Sequence, residues 1–400
     1  MSFIPTSRKA ARFGESVIRE MTRLLLKWET DSGRAGVNLA QGFPDFAAPE
    51  ILKEAACRAI QSDINQYAVT WGAPALRGAI ADKTARFYCV RPDPEREITV
   101  TCGATEAMIA ALLAVTDPGD EVIVFEPFYE NYGPDAILSG ATPVFVRLNA
   151  PDWSFDPEEL VKVFNDRTRA IIINTPHNPS GKVFSRDELT VIAELCQRWN
   201  VCAITDEIYE HLVYDGAAHA RIADLPGMAE RTITISGLSK TYSATGWRIG
   251  WLLAPPDATN AIRKVHDFLT VGAAAPLQAG ATFAINELPP SYYTDLANTY
   301  RQKRDVLLSA LIDSPLRPIC IPTGAYYILT DARPLMEAMG QESDTALARH
   351  LVSESGLATV PGSSFVTDPA SAVPLLRFCY CKKPETLARA ARLLDSLQRR

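Results

Sequence analysis

The chain has 400 residues, of which 47% are apolar and 22% charged, and a formal net charge of −7. That length buries a large core and ordinarily divides into two domains, and the composition is that of a folded globular protein with no low-complexity block. The acidic balance gives no basic footprint for nucleic acid or an anionic membrane, no apolar run reaches the ~18 residues of a spanning helix, and no signal-peptide core opens the chain, so small-molecule chemistry in the cytoplasm is expected.

Phe13 to Trp28 spaces Phe13, Val17, Met21, Leu24, Leu25 and Trp28 by threes and fours, which predicts an amphipathic helix. Gly42, Pro44 and Asp45 in VNLAQGFPDF then break the periodicity before a second helix near Pro49. NQYAVTWGAPALRGAIA passes from an extended segment into a helix, with Tyr67 as a half-buried aromatic. ITVTCGATEAMIAALLAV reads as a strand, a small-residue turn at Gly103, Ala104 and Thr105, and a helix whose first N–H groups are free to meet an anion. PGDEVIVFEPFYENY carries aromatics at the carboxyl end of a buried strand, the end where open α/β sheets bind ligands. Phe128 and Tyr132 read as packing residues there.

AIIINTPHNPSGKVFS is another strand, running into an Asn- and Pro-rich loop with His177 and Asn178; His177 is read as structural. After a helix from Asp187 to Trp199, VCAITDEIYEHLVY is an apolar strand ending at Asp206, an acid that is costly to bury without a positive partner. Glu207 beside it reads as solvated or structural. In SGLSKTYSATGWRIGW, Lys240 falls in a Ser-, Gly- and Thr-rich turn between the strands TITIS and WRIGWLLAP. Burial and cationic neighbours lower a lysine's pKa and free its lone pair, and Arg248, eight residues on, supplies such a charge and can grip a phosphate. IRKVHDFLTVGAAAPLQAGATFAI reads as a helix followed by a small-residue stretch. From about Glu287 a long charged helix, the strand segments GAYYILTD, LATVPGSSF and LLRFCYC, and a last helix from Glu385 to Leu397 mark a smaller α+β unit. Arg377 sits in an apolar strand, where an incoming carboxylate would satisfy its guanidinium. Eight cysteines without metal-ligand or disulfide spacing read as buried thiols, and no metal site is expected.

The run S-G-x-S-K-T-x-S-x-x-G-W-R-x-G, taken with QGFPDF, NQY, GATEA, NTPHNPSG and ITDEIY in that family's order, resembles the fold-type I, class I/II aminotransferases, which use pyridoxal 5′-phosphate (PLP). The likeness runs from Asn38 to Leu397, and QGFPDF and NQY resemble the kynurenine, glutamine and methionine group. The resemblance implies an α/β fold with a large domain around a mostly parallel sheet of the seven-stranded type. Its domains are expected at residues 46–286 (PLP-binding) and 287–400 (small), with residues 1–45 joining the small one. By the resemblance Lys240 holds PLP as an internal aldimine, Arg248 and the GATEA residues Gly103, Ala104 and Thr105 take the phosphate, and Tyr129 stacks on the pyridine ring. Asn178 and Tyr209 reach the phenolic oxygen, Asp206 pairs with the pyridinium nitrogen, and Gly42, Asn178 and Arg377 receive the substrate. Tyr67 reaches the phosphate of the neighbouring subunit, which implies a homodimer with shared sites. Many members have serine three residues before the lysine, where this chain has Gly237, so Ser236 or Ser239 is expected to make that phosphate contact.

The implied activity is ping-pong transfer of an amino group between an L-amino acid and a 2-oxo acid. HDFLTVGAAAP lacks the arginine that dicarboxylate-specific relatives often place there, while Tyr67, Trp71, Tyr129 and Tyr326 offer aromatic walls; neutral aromatic or thioether donors are therefore expected over aspartate. Alternatives are aspartate or another amino-acid donor, and β-elimination from cysteine S-conjugates on the same cofactor. A PLP-sensing transcription regulator is disfavoured by the acidic charge and by a short leading segment without a helix-turn-helix pattern.

Overall fold

The computed structural model describes residue 4 and residues 7–370 and 372–397. The first helix is Val17–Ser32, beginning later than its apolar spacing predicts. Ser16 sets that start, its hydroxyl accepting from the Arg19 amide, and Gly33 ends the helix in the left-handed region at φ 65°. Phe13 lies ahead of it in extended backbone.

The strands in chain order are β1 (Val37–Asn38), β2 (Ile98–Thr101), β3 (Glu121–Glu126), β4 (Thr142–Asn149), β5 (Ser154–Phe155), β6 (Thr168–Asn174), β7 (Cys202–Asp206), β8 (Thr232–Gly237), β9 (Gly250–Leu253), β10 (Tyr327–Asp331), β11 (Leu357–Ala358), β12 (Val360–Pro361) and β13 (Leu375–Cys379). The main sheet has eight strands in the order β2-β9-β8-β7-β6-β3-β4-β5. Its centre, β4-β3-β6-β7-β8, is parallel, whereas β9 runs antiparallel to both β8 and β2, and the two-residue β5 adds an edge to the expected seven. The central strands are buried on both faces, as crossover helices require. Val122, Val124, Ile172, Ile204 and Ile233 pack with the small residues of the helix Ala104–Val115. Ile123, Phe125, Ile171 and Ile173 alternate with them onto the opposite face, against Leu189, Ile192 and Cys196 of the helix Arg186–Trp199.

Two local expectations change. WRIGW is not one strand: Thr245–Trp247 forms a 3₁₀ turn, Arg248 is left-handed at φ 56°, and β9 begins at Gly250. The small-residue stretch after the helix Pro256–Leu269 is itself a helix, Ala275–Glu287. Its small side chains let it lie close to the helix Glu50–Gln61; a Cβ on Gly280 would come within 3.0 Å of the Leu52 carbonyl and the Ala56 methyl.

The smaller sheets join the two ends of the chain. β10, β13 and β12 form an antiparallel sheet in which Leu329 faces Arg377, and β1 pairs in parallel with β11. Met21 and Leu25 of the first helix share a core with Leu347, Leu351, Ile328 and Phe378. All eight cysteines are free thiols, but Cys57 and Cys89 are exposed, at odds with the uniform burial expected of them. Among the described residues no helix is long and apolar enough to cross a membrane, and no group of side chains could hold a metal ion.

Candidate active site

The carboxyl ends of β6, β7 and β8 open onto a cavity of about 380 Å³, bounded on its other side by the first helix, the QGF segment and β13. Gly42, Ala104, Thr105, Tyr129, Asn178, Asp206, Tyr209, Ser239, Lys240, Arg248 and Arg377 line it, so most of the residues singled out from sequence converge here.

Lys240 belongs to a single helical turn, Leu238–Thr241, that leaves β8 directly. Its Nζ donates to the Gly42 carbonyl at 3.0 Å. Burial, with Arg248 and Arg377 nearby, brings the amine down from 10.5 to about 8, although Cys381 and Asp206 pull the other way. The amine is thereby poised to exchange protons near neutrality.

Asp206 closes β7 and is buried. Its Oδ2 accepts from the Tyr132 hydroxyl at 2.8 Å and its Oδ1 from the Ile208 amide at 3.2 Å. Burial raises its pKa above the ordinary carboxylate value, while these two donors and Lys240 work to lower it. No side-chain cation lies within ion-pair distance of it among the described residues. The next acids turn away from the cavity: Glu210 meets Lys83 at 2.8 Å and Glu207 meets His219 at 2.9 Å. Glu207 is thus structural and buried, not solvated. These pairs hold the turn that presents Asp206 and Tyr209.

Arg248 lines the cavity, and its Nη1 donates to the Thr245 carbonyl at 3.0 Å and its Nη2 to that of Cys102 at 3.4 Å. Gly103 is required beneath it. At φ 88° it is left-handed, and any Cβ there would occupy the space of the guanidinium. Beside them the helix Ala104–Val115 begins, and Glu106 in its first turn accepts from the Thr270 hydroxyl at 2.6 Å and pairs with His266 at 2.7 Å, fixing the turn from its far side. A guanidinium, a hydroxyl at Ser239 and free N–H groups at a helix start form a donor set suited to a phosphate.

Arg377 is fully buried. Nη1 donates to Asn178 Oδ1 at 2.8 Å and Nη2 to the Ala40 carbonyl at 2.6 Å, but Nε has no hydrogen-bond partner. Its guanidinium lies 4.4 Å from the Tyr327 ring centroid and 4.8 Å from that of Phe365. A buried cation with no acid beside it and one idle donor has the chemistry to receive a carboxylate.

Several residues fall elsewhere. Ser236 is turned from the cavity, its hydroxyl donating to Glu210 at 2.7 Å, which leaves Ser239 as the serine on the lining. A serine at position 237 would crowd the backbone, since a Cβ there lies 2.9 Å from the Ile249 carbonyl oxygen. Tyr67 is 87% exposed and lies in a separate surface groove with Phe283 and Ala275. Of the expected aromatic walls only Tyr129 lines the cavity. Tyr326 is buried behind it with its hydroxyl on the Gly42 carbonyl at 2.7 Å, and Trp71 lies under the Arg263 guanidinium. Tyr132, read as packing alone, is the donor to Asp206, and Tyr327, which the sequence did not single out, joins Tyr209 hydroxyl to hydroxyl at 2.9 Å. Ser16, Arg19, Glu130 and Asp135 also line the cavity without having been anticipated. His177 is structural, as read: it is buried with Nδ1 2.7 Å from the Ser180 hydroxyl, and burial pushes it down to about 3.

The profile of the family Aminotransferase class I and II matches residues 34–394. Methionine aminotransferase of Escherichia coli K12 is 37% identical over 394 residues, 98% of each chain. Human kynurenine–oxoglutarate transaminase 1 is 38% identical over 88% of this chain and 90% of its own. The solved structure of N-succinyldiaminopimelate aminotransferase from Mycobacterium tuberculosis superposes with a TM-score of 0.91 at 39% identity, covering 98% of this chain and all of that one. A donor set suited to a phosphate, an acid at the end of β7 and an amine after β8 fit such a cofactor enzyme, and the chain belongs to the class I and II aminotransferases, PLP-dependent enzymes of fold type I.

Proposed function

We propose that this aminotransferase takes its amino group from a neutral L-amino acid with an aromatic or thioether side chain, in the cytoplasm, as a homodimer. The observation that carries the donor assignment is the cavity wall: Tyr129, Met108 and Ile18 line it, and the segment after the lysine helix brings no arginine. The relatives named for methionine and for kynurenine support the same reading. The dimer reading is supported by Tyr67 and Phe268, which are 87% and 92% exposed on one chain. The boundaries 45/46 and 286/287 remain our proposed division into lobes.

Bound PLP supplies an electrophilic carbonyl and a cationic ring that accepts the electron pair of a substrate C–H bond. In this reading Arg248, Thr105 and Ser239 hold its phosphate, Tyr129 covers the ring, Asp206 keeps the ring nitrogen protonated, and Asn178 and Tyr209 donate toward the phenolic oxygen. Arg377 orients the substrate α-carboxylate so that the α-hydrogen faces Lys240, and Lys240 Nζ takes that proton and later returns it. Tyr132, donating to Asp206, favours its ionised form against the burial that raises its pKa. A donor panel with a common 2-oxo acid tests the assignment: methionine, phenylalanine and kynurenine should exceed aspartate in kcat/KM. Aspartate ahead of all three by about tenfold, some 1.4 kcal/mol in the transition state, would refute it.

A further inference from the structure

Tyr327 opens β10 opposite Cys379 of β13, lines the cavity and is 2% exposed, with its ring centroid 4.4 Å from the Arg377 guanidinium. A phenyl ring alone would supply that stacking and fill the same space. The hydroxyl is an added polar group on a buried side chain and is costly there unless it is bonded. Its partner is the Tyr209 hydroxyl at 2.9 Å, and neither oxygen has another hydrogen bond among the described residues. Gly42 keeps room for it, since a Cβ at that position would overlap the Tyr327 hydroxyl.

Two hydroxyls joined by one hydrogen bond leave one proton of the pair free to point elsewhere. Burial raises both phenols above their ordinary value, Tyr209 well above it, so both keep their protons near neutrality. The charged and titratable groups around them are Lys240 after β8, Asp206 at the end of β7, Tyr129 after β3, and Arg377, Cys379 and Cys381 from the β13 side. None of these lies within hydrogen-bond distance of either hydroxyl. An anionic phenolic oxygen beside Tyr209 accepts from that hydroxyl in the stronger, charge-assisted bond. The Tyr209 oxygen is then left to accept, and Tyr327 becomes the donor to it. Such donation polarises the O–H on the far side of the Tyr209 oxygen and fixes where it points.

Resting on the assignment of Tyr209 above, we propose that Tyr327 is a positioning residue for amino transfer: its hydroxyl donates to that of Tyr209 and aims the Tyr209 proton at the phenolic oxygen of the cofactor. A stronger donor stabilises the negative charge on that oxygen and lowers the pH at which the proton held beside it is lost. The ring of Tyr327 lies on Arg377 while its hydroxyl holds Tyr209, so one side chain touches the residue that in this reading orients the substrate carboxylate and the one that meets the phenolic oxygen.

The test titrates PLP-loaded wild type, Tyr327→Phe, Tyr209→Phe and the double variant with pH, reading the midpoint at which the long-wavelength cofactor absorbance is lost. Tyr327→Phe keeps the ring on Arg377 and removes only the hydroxyl, and denaturant melts of each apoprotein report folding separately. Tyr209→Phe should raise the midpoint by about one to two pH units and Tyr327→Phe by about half a unit. In the Tyr209→Phe background the second substitution should add nothing, because its effect passes through the Tyr209 hydroxyl. A midpoint that Tyr327→Phe leaves in place, or that it moves equally far in the Tyr209→Phe background, overturns the proposal while leaving the assignment of Tyr209 standing. A midpoint that Tyr209→Phe itself does not move overturns that assignment, and the role of Tyr327 with it.

Discussion

Replacing Arg377 by methionine separates a binding arginine from a structural one. The side chain is 0% exposed with no carboxylate in ion-pair range. In the protein without cofactor or substrate, removing the charge relieves a desolvation penalty of several kcal/mol. Against this stand two hydrogen bonds from a charged donor, about 1.5–3 kcal/mol each, and the contacts with the Tyr327 and Phe365 rings, about 0.5–2 kcal/mol. The opposing contributions are of similar size, and methionine refills most of the volume, so stability should change by no more than about 2 kcal/mol. Substrate binding has no such offset. Breaking one side of a buried carboxylate–guanidinium pair costs about 3–5 kcal/mol, which lowers kcat/KM by roughly 150- to 5,000-fold. Denaturant melts of the apoprotein, kcat/KM for an amino donor, and cofactor content by absorbance give the three readings. The reasoning fails if carboxylate inhibitors bind Arg377→Met as they bind wild type, or if the apoprotein loses as much stability as the substrate loses affinity.

The Lys240 amine, at about 8 in the fold against 10.5 unfolded, binds fewer protons folded than unfolded across that window, so its penalty is complete below pH 8 and is relieved as pH rises toward 10.5. Apo wild type should therefore gain on the order of 3 kcal/mol relative to Lys240→Met between those limits; parallel pH–stability profiles would show the amine to be unperturbed. Tyr132→Phe removes a donor from the Asp206 carboxylate, worth about 1.5–3 kcal/mol, and should move the acid limb of PLP affinity up by about one to two pH units. Titrations of the apoprotein with PLP at several pH values check this, and an unmoved limb would uncouple the two residues. Ser239→Ala should weaken PLP without altering the melt, whereas Ser236→Ala should lower stability by about 1.5–3 kcal/mol with PLP affinity nearly intact; the reverse pattern would mean that Ser236 serves the phosphate.

The parts of the site legible in the sequence are those whose chemistry is tied to a strand end. Asp206 is the last residue of an apolar run, Lys240 follows the next strand within four residues, and Gly103 opens a helix; each position follows from local pattern and from where parallel sheets bind ligands. What was missed depends on facts a linear pattern does not hold. Tyr132 shares FYENY with Phe128 and Tyr129, and only the turn of the chain after β3 aims its hydroxyl at Asp206. Tyr326 and Tyr327 are adjacent, so their side chains leave the strand on opposite sides, and deciding which one faces the cavity requires the register with β13. Ser236 and Ser239 are three residues apart across the junction of β8 and a helical turn, where the change of period turns one toward Glu210 and the other into the cavity. Arg19 lies on a helix whose apolar face was plain, but the partner of its polar face is set by how that helix crosses the mouth of the cavity.

We propose Lys240 as the residue that carries the cofactor. Borohydride reduction of the PLP-loaded protein, followed by tryptic mapping, tests it most directly, because reduction fixes the cofactor to whichever amine holds it and blocks cleavage there. A single labelled peptide spanning residues 232–248, with the cofactor on Lys240, is expected. A label on any other lysine, or a loaded protein that retains none, would contradict it.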